Sequence, residues 1–311
     1  MQTVEAGRRI ALKNVLFATD FSACSNTALP YALAIGHRYG ARLYGAHVVT
    51  PDSYLYFAPE AWPAHFQEEE QLQKEALARL EEQLRGVPHQ ALCGVGDVWD
   101  VLGRIIQEHD IDLLVVGSHG RTGLGKLFIG SVAEKIFRRA DCPVLSVGPN
   151  VSSKPGGGIR FQHIVFATDF SEDSLAALPY AVSLAEEDQA QLTLLHVVEE
   201  PEAGIADVDA VKVHLMHHLQ ELVPTDAEPW CHVECLLEFG RQFARPTDRI
   251  LEIAGDQAAD LIVLGVRPVR GKLGMMTHLA STTAQILTQA VCPVLTVRGG
   301  CADAARERLA S

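Results

Sequence analysis

The chain has 311 residues and carries 26 Lys and Arg against 39 Asp and Glu, a net charge of −13. That balance argues against a nucleic-acid partner, because phosphate backbones are held by clustered cations. With 48% hydrophobic and 21% charged residues, the composition suits about two domains with cores of their own. Its apolar runs are too short to span a bilayer and its start lacks a secretion signal, so the expectation is a soluble, cytoplasmic protein with no membrane partner.

In chain order, Val15–Ala18 is a short β-branched and apolar run, read as a strand buried on both faces. Asp20, Phe21 and Ser22 form a turn, with Ser22 or Ser25 placed to cap a helix. A helical pattern runs from about Asn26 to Tyr39, with Pro30 near its first turn, where proline is tolerated, and Gly40 ending it. Leu43–Val49 is a second strand, Glu68–Leu84 a helix, His89–Cys93 a third strand and Val98–Glu108 a helix. Leu113–Val116, Val132–Arg139 and Val144–Val147 then read as strand, helix and strand. Strands alternating with helices predict a five-stranded parallel sheet with helices on both faces, an α/β fold whose ligands sit at the carboxyl ends of the strands.

The whole pattern occurs twice. Phe17-Ala-Thr-Asp-Phe-Ser22 recurs as Phe166-Ala-Thr-Asp-Phe-Ser171, Ala28-Leu-Pro-Tyr-Ala32 as Ala177-Leu-Pro-Tyr-Ala181, and His47-Val-Val49 as His196-Val-Val198, all at one offset of 149 residues. Asp112–Gly117 then matches Asp260–Gly265, and Cys142-Pro-Val-Leu145 matches Cys292-Pro-Val-Leu295. A period of this size marks a duplicated domain. Residues 151–158 contain Ser152-Ser-Lys-Pro-Gly-Gly-Gly158, a linker composition. The expected domains are therefore residues 1–150 and 159–311.

In the first copy, Gly117-Ser-His-Gly120 closes the fourth strand, and Gly130-Ser131 opens a helix nine residues later. Glycines let backbone N–H groups approach an anion, and a helix start adds unpaired donors and a favourable dipole. His119, Arg121 and Lys126 lie in the same segment and complement a phosphate chain. The competing explanation is that Ser131-Val-Ala-Glu134 is a capping box, which needs no ligand. The loop lacks the Gly-Lys-Ser/Thr of a Walker A sequence.

With these residues the chain resembles a tandem universal stress protein over both halves. The resemblance implies two Rossmann-like domains of the adenine nucleotide α-hydrolase-like type and ATP, with or without magnesium, as ligand. In that family Gly-x-x-Gly, nine residues, Gly-Ser/Thr is the pattern of the ATP-binding members, and the first copy matches it throughout. The resemblance implies that Gly117, Ser118, Gly120, Gly130, Ser131 and Val132 hold phosphates and ribose, that Asp20 and Val48 read adenine, and that Ala18 lines the base pocket. Val116, His119 and Arg121 complete the candidate set.

The second copy departs from the pattern. Pro268 replaces Gly120, removing an N–H and fixing φ. Ala280-Ser281 stands for Gly130-Ser131, and Ala284 for Glu134. Asp169 and Val197 survive, so an adenine-like pocket without a phosphate cradle is expected, with Arg267, Arg270 and Lys272 keeping its loop basic. This copy is expected to be structural or regulatory.

Other features weigh less. His214, His217 and His218 share a helical face, and Cys231 and Cys235 share a strand face, but the spacings miss the usual zinc pattern, so no metal is expected. Cys24, near a helix start, is expected to be unremarkable, as are the buried thiols of Cys142 and Cys292. No nucleophile-and-base pair is evident, so the expected function is nucleotide-dependent regulation, with slow ATP hydrolysis at most. The alternative is a scaffold of paired domains that binds protein or another ligand. The last strands, Val144–Val147 and Val294–Val297, are edges that join within one molecule or across a homodimer.

Overall fold

The computed structural model describes residues 10–50, 62–119, 130–152, 158–198, 208–223, 231–239, 245–267 and 283–299. The first half runs β1 (Asn14–Ala18), α1 (Ala23–Tyr39), β2 (Arg42–Val49), α2 (Trp62–Gln83), β3 (His89–Val95), α3 (Val98–Glu108), β4 (Leu113–Gly117), α4 (Ser131–Arg139) and β5 (Val144–Val147). The second half repeats it as β6 (His163–Ala167), α5 (Glu172–Leu175), α6 (Leu178–Asp188), β7 (Gln191–Val198), α7 (Val208–Glu221), β8 (Val233–Phe239), α8 (Pro246–Asp256), β9 (Leu261–Val266), α9 (Thr283–Gln289) and β10 (Val294–Arg298).

The strands form one ten-stranded sheet in the order β3-β2-β1-β4-β5-β10-β9-β6-β7-β8. Each half is parallel, as the alternation of strands and helices requires. The two halves meet where β5 and β10 pair antiparallel, with Leu145 opposite Leu295. The expected pairing of last strands thus takes place within the chain, and neither strand remains an edge. Within the first half β1 connects outward to β2 on one side and neighbours β4 on the other. That reversal of strand order opens a crevice at the carboxyl ends of β1 and β4.

Burial follows from this layering. Val15, Leu16 and Phe17 of β1 and Leu114, Val115 and Val116 of β4 are covered on both faces, as the continuous apolar runs require. Two apolar clusters, one on each face of the sheet, each continue from the first half into the second. Polar ties reinforce the junction. Arg38 on α1 pairs with Asp188 on α6 at 2.9 Å and donates to the carbonyl of Ile159, and Asn150 donates to the carbonyl of Thr288. Among the described residues no helix is long and apolar enough to cross a membrane.

Two local expectations are corrected. α1 begins at Ala23, so Pro30 lies in the helix interior and not near its first turn. Ser22 is the cap, accepting from the N–H of Ser25, and this early start moves Pro30 inward. The equivalent Pro179 does sit in a first turn, because the second copy breaks the helix into α5 and α6 at Ala176-Ala177. Second, Ser131 is not a cap. α4 is capped by Gly130 with no side-chain bond, and Glu134 instead pairs with Arg138 at 2.6 Å, one helical turn on.

Candidate functional site

The crevice is built first by a strained turn. After β1, Phe21 has φ +61°, a left-handed conformation that is costly for a bulky residue. Polar contacts fix it. The N–H of Phe21 donates to Thr19 Oγ1 at 2.9 Å, the N–H of Ser22 to Asp20 Oδ1 at 3.0 Å, and Thr19 Oγ1 to Ser25 Oγ at 3.0 Å. His47, at the end of β2, binds the carbonyl of Thr19 through Nδ1 at 2.7 Å and packs its ring on Phe21. It is a structural histidine that holds the turn. The guanidinium of Arg79 lies 4.3 Å from the Phe21 ring centre on α2, a cation–π contact. Asp20 is thereby presented at the carboxyl end of β1.

β4 supplies the second wall. A Cβ on Gly117 would come within 2.8 Å of the backbone nitrogen of Ser25, so glycine is required there by the approach of α1. Ser118 is fully buried; its N–H donates to the carbonyl of Val147, and its own carbonyl accepts from the N–H of Gly130 at 3.2 Å. That bond brings the start of α4 back to the end of β4. Gly130 makes no side-chain cap bond; Ser131, Val132 and Ala133 of the first turn of α4, whose N–H groups have no intrahelical acceptor, line the cleft near the positive end of the helix dipole.

The resulting cleft has a cavity volume of about 160 Å³ and opens to solvent. Ala18, Asp20, Val48, Val116, Gly117, Ser118, His119, Gly130, Ser131 and Val132 all line it. Of the candidate set, Gly120 and Arg121 lie outside the described residues, as does Lys126. Thr19, Ser25, Ala46, Val98, Leu102, Ala133 and Ile136 also line the cleft, although the sequence did not mark them as site residues. Val98 and Leu102 were legible in principle, since they stand one turn apart on α3. A salt bridge ties α3 to α4: Asp97, which caps α3, meets Lys135 of α4 at 2.8 Å. The lysine holds the Asp97 carboxyl below its ordinary range.

The floor of the cleft is apolar and its far end carries backbone donors. Such a site fits a flat heteroaromatic group over Ala18, Val48 and Val116, with an anionic tail at α4. Cys24 is not a reactive thiol. Its Sγ–H donates to the carbonyl of Val147, and burial pushes its pKa up rather than down, so the helix start does not activate it.

In the second half the equivalent turn is retained, with Phe170 at φ +61° and His196 on the carbonyl of Thr168. Gly265 is retained for the reason that holds at Gly117, since a Cβ would fall 2.2 Å from the backbone of Ser174. Two charge pairs are new. Arg267 meets Asp169 at 3.0 Å. Arg249 meets Glu238 at 2.9 Å, where Glu238 is opposite Val197 as Gly94 is opposite Val48. Pro268, Arg270, Lys272, Ala280 and Ser281 lie outside the described residues, whereas Ala284 falls within α9.

The His and Cys residues of the second half do not converge. The rings of His214 and His218 are 4.3 Å apart on α7, and His217 turns to Glu221 at 3.4 Å. Cys231 is buried ahead of β8 and Cys235 lies half-buried within it, and burial pushes both thiols up, away from the thiolate that zinc requires. Among the described residues no group of three or more His, Cys, Asp or Glu is disposed to hold a metal ion.

Comparison with known proteins matches both halves. Residues 11–148 and 160–298 each match the model of the universal stress protein family. A universal stress protein of Thermus aquaticus is 34% identical over 139 residues, which span 43% of this chain and 98% of that protein. One from Methanocaldococcus jannaschii is 28% identical over 148 residues, 43% of this chain and 81% of that protein. The crystal structure of a universal stress protein from Archaeoglobus fulgidus covers 92% of this chain and 98% of its own, with a TM-score of 0.66 at 20% identity. That likeness concerns the fold, and it extends over the paired halves together.

Proposed function

Because this chain belongs to the universal stress protein family as two tandem domains, we propose that its first domain is an adenine-nucleotide site for ATP and that the protein is a nucleotide-responsive regulator. One observation carries the reading: ten of the residues singled out in the sequence come together around a single cleft at the crossing of β1 and β4. In this reading Ala18, Val48 and Val116 take the base, and Asp20 accepts from its amino group. Ser118, Gly120, Gly130, Ser131 and Val132 receive ribose and phosphates, aided by His119 and Arg121. The residues in view bind and orient. None forms a nucleophile-and-base pair, so no catalytic step is assigned. Binding acts as a switch to the extent that ATP favours one conformation or assembly over another.

Titration calorimetry of the full chain with ATP, with and without magnesium, tests the proposal. Wild type is expected to bind one equivalent, and Gly120→Pro to lose at least tenfold in affinity. Unchanged binding in Gly120→Pro, or none in wild type, would leave a scaffold of paired domains as the better account.

A further inference from the structure

Each domain supplies a donor to the end of the other's last helix. The final carbonyls of a helix have no partner within it. Asn150, which follows β5, donates through Nδ2 to the carbonyls of Thr288 at 3.1 Å and Gln289 at 3.5 Å, at the end of α9. In the other direction Arg298, the last residue of β10, donates through Nη2 to the carbonyl of Arg138 near the end of α4, and its Nη1 lies 3.4 Å from Asp141 Oδ1. The Arg298 side chain is mostly buried, so a cation is held against the negative end of the α4 dipole. Gly148 is its counterpart in the first copy, counting from the two Cys-Pro-Val-Leu strands. A Cβ on Gly148 would already crowd the carbonyl oxygen of Leu287 at 3.1 Å, and α9 receives the neutral amide of Asn150 instead.

α4 depends on such a tie. It has nine residues, too few to hold a helix without tertiary support, and Gly130 gives it no side-chain cap bond. Buried Ala133, Ile136 and Phe137 fix one face, and Lys135 meets Asp97. Those contacts lie along the side of the helix, whereas Arg298 grips its end. The grip is passed back toward the cleft. Arg138, whose carbonyl Arg298 holds, pairs with Glu134 at 2.6 Å. The N–H of Glu134 donates to the carbonyl of Gly130 at 2.9 Å, and the N–H of Gly130 to the carbonyl of Ser118 at 3.2 Å. A helix this short carries a shift at one end to the other, about 13 Å away at roughly 1.5 Å per residue.

We propose that Arg298 is a positioning residue for the anion end of the first-domain cleft: by holding the carboxyl end of α4 it sets where the first turn of that helix stands, so that the second domain takes part in phosphate binding by the first. The proposal rests on the reading of that cleft as an ATP site. It gives the second domain a role that needs no ligand of its own.

The test compares ATP with adenosine on the intact chain, because adenosine has no phosphate to reach α4. In calorimetry Arg298→Gln is expected to bind ATP about tenfold more weakly, the effect of one weakened hydrogen bond to a charged group, with adenosine affinity unchanged. Asn150→Ala removes the reciprocal tie, to α9, and should bind ATP as wild type does. Amide exchange followed by NMR should be faster at Gly130 and Glu134 in Arg298→Gln and unaltered in β1 and β4. Arg298→Lys lacks the fork that meets Arg138 and Asp141 together; it should show the same selective loss at smaller size, and it carries the comparison if Arg298→Gln does not fold. Equal losses for ATP and adenosine, unchanged ATP binding, an equal loss in Asn150→Ala, or unchanged exchange at Gly130 and Glu134 overturns the proposal. A wild type that binds no ATP counts against the ATP reading alone, and the exchange comparison then decides the positioning role.

Discussion

Arg38 of α1 and Asp188 of α6 meet at 2.9 Å across the junction of the two domains, with the Asp188 side chain only 1% exposed. Asp188 also accepts from the N–H of Phe161 at 2.7 Å, so one carboxylate joins α1, α6 and the chain entering β6. Removing one partner of a buried pair leaves a desolvated charge behind. Arg38→Ala is expected to lower stability by about 3 kcal/mol, the low end for such a loss, because Arg160 stands 3.8 Å from the same carboxylate. Urea melts at neutral pH measure it; a loss well under 1 kcal/mol would mean the pair is solvated.

The same carboxyl gives a pH dependence. Burial raises the Asp188 pKa above its ordinary value, against the lowering effects of the Phe161 amide, Arg38 and Arg160. An acid raised on folding binds its proton more tightly in the native chain. Its contribution is fully present below the unfolded pKa and is lost as pH rises through the folded one. Without Arg38 the native pKa rises further. The penalty of Arg38→Ala should therefore be largest at neutral pH and shrink as pH falls through the carboxylate range. Melts of both proteins from pH 7 to pH 4 should converge; parallel curves would contradict this.

Gly117 and Gly265 separate packing from binding. A Cβ at either would strike the helix that follows the first strand of its domain, at 2.8 Å from Ser25 N and at 2.2 Å from Asp173 O. Overpacking of this kind costs about 1–3 kcal/mol, and Gly265→Ala should be the more destabilising. Only Gly117→Ala should also weaken ATP, because only Gly117 lines the described cleft. Thermal melts paired with calorimetry on both variants check the contrast, which fails if they lose ATP affinity equally.

How far the site was legible follows from the same residues. The duplicated segments gave both domains, and the glycine spacing pointed to the end of β4, because backbone chemistry is local and visible in order along the chain. Gly117 itself carries a mixed signal: it persists at Gly265 because a helix lies against it, whether or not a ligand does. Glu134 misled, since a capping pattern in the sequence does not decide whether the chain enters the helix one residue earlier, as Gly130 does here. The contacts of Arg267 with Asp169 and of Arg38 with Asp188 join residues far apart in sequence. No periodicity reports them. Val98 and Leu102 enter the cleft only because α3 packs over the strand ends.

Ser22 caps α1 while its carbonyl accepts from Ser25 Oγ, so it joins the helix start to the turn that bears Asp20. Ser22→Ala should cost about 1 kcal/mol, and Ser22→Gly only a few tenths, as glycine is a tolerated N-cap. Chemical denaturation distinguishes the two. No loss in Ser22→Ala would show that the hydroxyl is not what caps the helix.

The junction itself has the register of a two-fold pair. Leu145 is opposite Leu295, Val144 opposite Thr296, and Ser146 opposite Val294. Residues 144 and 146 of one half thus face the counterparts of 146 and 144 in the other, which is the self-complementary arrangement of an isologous contact. A chain cut to residues 10–152 would keep β5 but lose β10, baring an edge and both apolar faces beside it. Such edges pair when a partner is available. The fragment should sediment as a dimer with Leu145 against its own copy, and Leu145→Arg, which puts two cations into that contact, should give monomer or unfolded chain. A well-folded monomer of the unaltered fragment would show that β5 needs the second domain for something other than edge pairing.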